Sequence, residues 1–152
     1  MKEKKDKSRC IFCEAASGAA DEESLVVFRG QLSFVMLNRY PYTSGHVMIA
    51  PYAHVSRLNQ ASPAATDEIM HLSRRAESII EQVYRPDGLN LGMNLGEAAG
   101  AGVEQHIHLH VLPRWKGDAN FMTSVGNTRV IPEALSDTYA KWKQAFSTAS
   151  PG

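Results

Sequence analysis

The sequence predicts an α+β domain built on an antiparallel sheet of about five strands, with one long helix and a C-terminal helix. Three observations carry this. Short β-rich runs separated by turn residues occupy the first third of the chain, one long amphipathic helix follows, and further strands precede a last helix. The order strands, helix, strands, helix favours an antiparallel sheet over repeated βαβ units. A chain of 152 residues is expected to form one domain, here residues 10–152. Residues 1–9 are mostly charged and read as a disordered tail.

Each element has a local reason. Ser24 to Arg29 and Gln31 to Leu37 are rich in Val, Phe, Leu and Met around Gly30 and predict a β-hairpin or bulged pair. Asn38-Arg39-Tyr40-Pro41-Tyr42-Thr43-Ser44-Gly45 is turn chemistry throughout. His46 to Ala50 predicts a strand stopped by Pro51. Ser62 is a helix N-cap with Pro63 at the first helical position. Ile69, Leu72, Ala76, Ile79 and Val83 then recur at three- and four-residue spacing as one apolar face. Pro86-Asp87-Gly88 ends that helix. Leu89 to Leu95 predicts a strand, Gly96 to Gly102 a loop of small residues, and His106 to Leu112 a strand ending at Pro113. Glu133 to Phe146 predicts the last helix, with Pro132 at its start and Leu135, Tyr139, Trp142 and Phe146 on its apolar stripe.

Composition narrows the function. The chain is 43% hydrophobic and 21% charged, as in a soluble globular protein with a real core. Its formal net charge is zero, which offers no electrostatic case for nucleic acid or an anionic membrane as a partner. No apolar run approaches the ~20 residues of a membrane span. No apolar segment of a secretory signal follows the charged N-terminus, so a cytoplasmic setting is expected. In such a compartment the closely spaced Cys10 and Cys13 read as metal or redox chemistry rather than a structural staple.

The chemistry concentrates in His106-Ile107-His108-Leu109-His110-Val111-Leu112. Strand side chains alternate faces, so a strand here puts three imidazoles on one face and Ile107, Leu109 and Val111 on the other. Successive rings would then lie on the order of 6.5–7 Å apart. Such a row serves as a metal site or as a nucleophilic site, or is a polar face that happens to be histidine. Gly96, Gly100 and Gly102 directly precede it, and glycines let backbone N–H groups converge on an anion. Loop and histidines together favour phosphoryl or nucleotidyl transfer over a hydrolytic zinc site.

The segment NLGEAAGAGVEQHIHLHVL, Asn94 to Leu112, resembles the active-site signature of the histidine triad (HIT) superfamily. Leu37 to Val47 looks like that family's second motif, an Asn followed by a Pro turn and Gly-His. The resemblance extends from Cys10 to about Phe121 and implies a HIT-like fold. It further implies a nucleotide-binding enzyme that cleaves or transfers at the α-phosphate. In that scheme His108 is the nucleophile and forms a nucleotidyl-histidine intermediate. His110 contacts the phosphate and assists the leaving group, and His106 orients the nucleophile or binds zinc. Asn38 matches a ribose contact, and Asn94 with Gly100, Ala101, Gly102 and Val103 matches the phosphate cradle. Relatives also imply a structural zinc held by Cys10, Cys13, His54 and His106, and a homodimer. One departure is plain. Many members carry Ser or Thr late in the cradle, where this chain has Gly102, Val103 and Glu104 in a loop one residue longer, so backbone donors must do more.

Downstream, Pro113 to Phe121 resembles the branch with bacterial diadenosine tetraphosphate phosphorylase-like proteins, which implies a dinucleoside polyphosphate substrate and inorganic phosphate as acceptor. Arg114 and Lys116 suit additional phosphates, and Trp115 and Phe121 suit a second base, a packing core or a dimer contact. His46 is expected to be a hydrogen-bonding residue at a strand start, and His71 to be solvated. Glu77, Glu81, Asp118 and Glu133 form no convincing acid–base pair.

Overall fold

A computed structural model describes residues 10–119 and 133–148. The expected tail, Phe121 and Pro132 lie outside the described residues. Five strands, β1 (Val26–Arg29), β2 (Ser33–Leu37), β3 (Val47–Pro51), β4 (Gly88–Gly92) and β5 (Leu109–Arg114), form one antiparallel sheet in the order β1-β2-β3-β5-β4. Helix α3 (Pro63–Tyr84) and the last helix, α4 (Leu135–Thr148), cover one face. Two short helices, α1 (Ile11–Ser17) and α2 (Asp21–Ser24), precede the sheet and were not foreseen.

Strand alternation divides the core in two. Val35, Leu37, Val47, Ile49 and Val111 face α3 and α4, against Ile69, Leu72, Ala76, Ile79, Ile80, Trp142 and Phe146. Phe34, Met36, Met48 and Ala50 face the other way, where α1 lays Phe12 and Ala15 over them. His110 pairs with Met48 and therefore belongs to this second face.

The boundaries differ from expectation for identifiable reasons. Residues before β1 curl into α2, and Leu25 adopts a left-handed conformation (φ 63°) before the strand starts. The helical face of α3 is as predicted up to Ile79, but the fully buried residue of its last turns is Ile80, and Val83 is 38% exposed. Ser62 Oγ caps α3 by accepting from the Ala65 N–H at 3.2 Å.

The histidine segment is the main correction. Only His110 lies in a strand, and β5 runs from Leu109 to Arg114, past the expected stop at Pro113. Pro51 joins β3 rather than ending it, but has no N–H to donate onward. The chain before Leu109 bonds elsewhere: Ile107 N–H donates to the Val55 carbonyl at 2.8 Å. Strand β4 correspondingly ends at Gly92, opposite His110, instead of Leu95.

Glu68 on α3 fastens the β1–β2 turn. Its carboxylate accepts from the Gln31, Leu32 and Ser33 N–H groups and from Ser33 Oγ, at 2.5–3.3 Å. Burial acts to raise its pKa, but the Ser33 hydroxyl and the backbone donors outweigh it and hold the group below the usual carboxylate value. A depressed folded pKa stabilises the protein above the unfolded value and is lost as pH falls through the folded one. Glu68→Gln should therefore cost about 1–2 kcal/mol at neutral pH. Urea unfolding should find that difference shrinking in acid; a constant difference would reject the ionised clamp.

Candidate active site

The site grows from three connections to the sheet. Strand β5 supplies His110, the stretch before it supplies His106 and His108, and β3 begins immediately after His46. All four rings are on the face covered by α1 or at its margin. His106 and His46 are 0% and 1% exposed, and His108 is 6% exposed.

Each imidazole has a neighbour that fixes where its proton sits. His106 Nε2 lies 2.8 Å from the Pro51 carbonyl, which can only accept, so Nε2 carries the hydrogen and Nδ1 keeps a lone pair. His108 Nδ1 donates in the same way to the His106 carbonyl at 2.9 Å, leaving its Nε2 with a lone pair. Tyr42 N–H donates to His46 Nδ1 at 3.1 Å. His46 Nε2–H must then be the donor to His110 Nδ1, 2.8 Å away. Neutral His110 consequently presents Nε2–H outward, as a donor for an anionic oxygen.

Electrostatics agree with these neutral forms. Burial lowers the pKa of His110 to about 4, with His108 adding to the shift. Burial also lowers His106 to about 4 against the opposing pull of the Pro51 carbonyl, while His54 and His108 push the same way as burial. Burial depresses His108, with the bond to the His106 carbonyl acting against it. The rings are closer than one extended strand would allow: His108 and His110 have centroids 4.8 Å apart, edge to face.

His46 is a buried hydrogen-bonding residue just before β3, in keeping with the expectation, and the partner that the sequence did not reveal is the His110 ring. Gly45 has φ 89°, and a Cβ there would lie 2.9 Å from the Tyr84 ring, so glycine sets the entry into β3. His46→Ala should lower kcat by about 10–100-fold while KM changes little, because it frees the His110 ring. Equal losses in kcat and affinity, measured in steady-state kinetics, would reject that role. His71 is exposed on α3, as expected.

Cys10, Cys13, His54 and His106 bring four donor atoms within 4.8 Å of one another. Cys13 Sγ and His54 Nδ1 are 3.2 Å apart, as are the Nδ1 atoms of His54 and His106, and Cys10 Sγ is 3.5 Å from His106 Nδ1. Two thiols and two imidazoles in this arrangement suit a tetrahedral cation, and the bond to the Pro51 carbonyl leaves the lone pair of His106 Nδ1 toward Cys10. Among the described residues, this is the set of such side chains that converges well enough to hold a metal ion.

The expected cradle is a tight loop. Gly96 and Gly100 have φ of 89° and 86°, and Asn94 Nδ2 donates to the Gly100 carbonyl at 3.4 Å. The Gly100 and Ala101 N–H groups close the loop on Glu97 and Gly96, so they point inward. Gly102 and Val103 make no such backbone donation among the described residues. A cation missed in the sequence also sits here. The Arg57 guanidinium occupies the space beside Gly96, with Nη1 3.3 Å from where a Cβ would lie. Asn38, at the end of β2, lines a cleft of about 530 Å³ together with Ile11, Met36 and Met48.

The Pro113 segment is arranged differently from the phosphate-binding expectation. Arg114 pairs with Asp118 at 2.6 and 2.8 Å and donates to Asn90 Oδ1 at 2.9 Å. That pairing holds Asp118 down at about 2. Lys116 is exposed, and Trp115 is half-buried beside Tyr84 and Lys141. No helix among the described residues is long and apolar enough to cross a membrane.

The HIT domain profile matches residues 19–117. An AP-4-A phosphorylase of Mycobacterium tuberculosis is 48% identical over 119 residues, 78% of this chain and 61% of that protein. An asymmetrical bis(5'-nucleosyl)-tetraphosphatase of Schizosaccharomyces pombe is 34% identical over 95 residues, 62% of this chain and 52% of that protein. The chain thus spans between half and two thirds of the length of these relatives. The crystal structure of a Zn-bound histidine triad family protein from Mycobacterium smegmatis superposes with a TM-score of 0.74 at 26% identity, over 93% of this chain and 96% of that one. The HIT match extends over about two thirds of the chain, and the chain belongs to the HIT domain family.

Proposed function

We propose that the protein is a HIT-type nucleotidyl transferase or hydrolase acting at the α-phosphate of a nucleoside 5′-phosphate derivative, with a dinucleoside polyphosphate as the leading substrate. The observation that carries this is the His108 tautomer: Nδ1–H is committed to the His106 carbonyl, and Nε2 is left with its lone pair. The 48% identical relative named AP-4-A phosphorylase supports the substrate class.

In the proposed reaction His108 Nε2 attacks the α-phosphorus. A P–N bond forms, the bridging P–O bond breaks, and its electron pair leaves with the departing nucleotide. His110 Nε2–H donates to the phosphate and the departing oxygen, held in place by His46. An oxygen of inorganic phosphate or water then attacks the same phosphorus, and the P–N electron pair returns to His108. The Gly102 and Val103 N–H groups and the Arg57 guanidinium are the donors assigned to the phosphate chain. The ribose is assigned to Asn38, beside its cleft. Arg114 keeps its structural pairing with Asp118 in this reading.

Zinc is proposed for Cys10, Cys13, His54 and His106, as a structural ion that ties α1 to the histidine segment. Its location does not favour the alternative of a metallohydrolase using the histidine row, because His106 turns its lone pair toward the cysteines and His110, accepting from His46 at Nδ1, carries hydrogen on Nε2, which leaves only His108 with a nitrogen to offer. We also infer a cytoplasmic setting, from a closely spaced cysteine pair converging with two imidazoles as a metal-binding set rather than a structural staple, and a homodimer. The edge strand β4, with Leu91 46% exposed, is available for pairing.

Incubation with diadenosine tetraphosphate, with and without inorganic phosphate, tests the reading. ADP plus ATP identifies phosphorolysis, AMP plus ATP identifies hydrolysis, and paired ADP would place the cleavage away from the α-phosphorus and reject the reading. Calorimetric binding without product under either condition would leave a non-catalytic nucleotide-binding module.

A further inference from the structure

Phe12 stands between the two cysteines and is fully buried, yet its contacts are not those of an ordinary core residue. Its ring is stacked on the His108 imidazole, with centroids 4.6 Å apart and planes inclined by 28°. It also leans on His106, at 5.2 Å and 34°. The ring itself has little freedom. It packs with Val26, Phe34, Met36, Met48 and Ala50. Arg29 holds the end of its helix by donating to the Ala15, Ala16 and Gly18 carbonyls at 2.6–3.0 Å.

The physical consequence concerns direction. The lone pair of Nε2 lies in the plane of the imidazole, so the tilt of that plane decides where the nucleophile points. The bond from Nδ1 to the His106 carbonyl anchors the ring at one point but leaves rotation about that contact. The Phe12 face on one side and the His110 edge on another remove that rotation. In-line attack on phosphorus tolerates little misdirection, and a displacement on the order of 1 Å costs as much as ~10²-fold in rate.

We propose that Phe12 is a positioning residue for the nucleophile: its ring fixes the plane of the His108 imidazole so that Nε2 meets the α-phosphorus in line. This rests on the nucleotidyl-transfer reading above. It predicts that the aromatic face matters for the chemical step and not for nucleotide affinity.

The test compares Phe12→Leu and Phe12→Met with Phe12→Tyr, which keeps the ring. Single-turnover formation of the nucleotidyl-enzyme from diadenosine tetraphosphate is followed by rapid quench and mass measurement, alongside steady-state KM. Both aliphatic variants should slow adduct formation by about 10–100-fold with KM within about threefold, and the Tyr variant should stay near the wild-type rate. Adduct formation at the wild-type rate in the aliphatic variants overturns the proposal. So does an equal loss in all three, or a KM rise that accounts for the loss. Wild-type protein gives a reading independent of any variant: nuclear Overhauser contacts between the Phe12 ring and the His108 carbon-bound protons, whose absence also overturns it. The wild-type adduct is measured first. Its absence with any nucleotide defeats the functional reading, whereas an adduct that forms equally fast without the Phe12 ring defeats only this inference.

Discussion

His108→Ala should abolish the nucleotidyl-enzyme and lower turnover by at least about 10⁴-fold, because no neighbouring group can take its place as nucleophile. His106 presents Nδ1 to the cysteines and gives Nε2–H to Pro51. His110 accepts at Nδ1 from His46 and is a donor at Nε2. Neither is oriented to attack. Mass measurement on the quenched enzyme separates this outcome from a binding defect: the variant should still bind a nucleoside monophosphate in calorimetry while acquiring no adduct mass. Turnover within tenfold of wild type would remove His108 from the mechanism.

The second large effect is expected at the four-residue cluster. Cys13→Ser deletes a sulfur that lies 3.2 Å from His54 Nδ1 and within reach of His106. A structural ion of this class contributes much of the folding energy of the segment it closes, so loss of even about 3 kcal/mol would lower the thermal midpoint by roughly 6–12 °C in a domain of this size. The purified chain should contain one equivalent of zinc, and the variant much less. Chelation of the wild type should reproduce the variant's midpoint. Catalysis should fall as well, since the His106 main chain that accepts from His108 is part of the same clasp. A metal-free chain as stable as the purified protein would reject the zinc assignment.

The legibility of this protein was uneven. Helix α3 was readable nearly to the residue, because a Ser-Pro start and an apolar repeat at helical spacing are local signals that packing did not override. The five strands were identified, but their ends were misplaced wherever a partner decided the pairing. The histidine row is the clearest instance. Alternation put the three rings on one face, and that remained true of their common side of the sheet. It could not reveal that His106 and His108 leave the ladder, because this depends on Pro51 having no N–H and on Val55 offering its carbonyl. Phe12 was invisible for a related reason: an aromatic between two cysteines reads as core until the ring it touches is known.

What the sequence determined alone was the chemical inventory and its contiguity: three spaced imidazoles, a glycine loop before them, a Gly-His upstream and a pair of close cysteines. Those are properties of residue type and spacing, and they were sufficient for the fold class and the family. What the tertiary structure decided was which nitrogen of each ring is free. A tautomer is set by the one acceptor or donor within hydrogen-bonding distance, and for His106, His46 and His110 that partner comes from a distant part of the chain or across a turn. The row of equivalent histidines thereby becomes a ring with its lone pair toward the cysteines, a ring with Nε2 unprotonated and a ring with N–H at Nε2, a difference that spacing along one strand cannot encode.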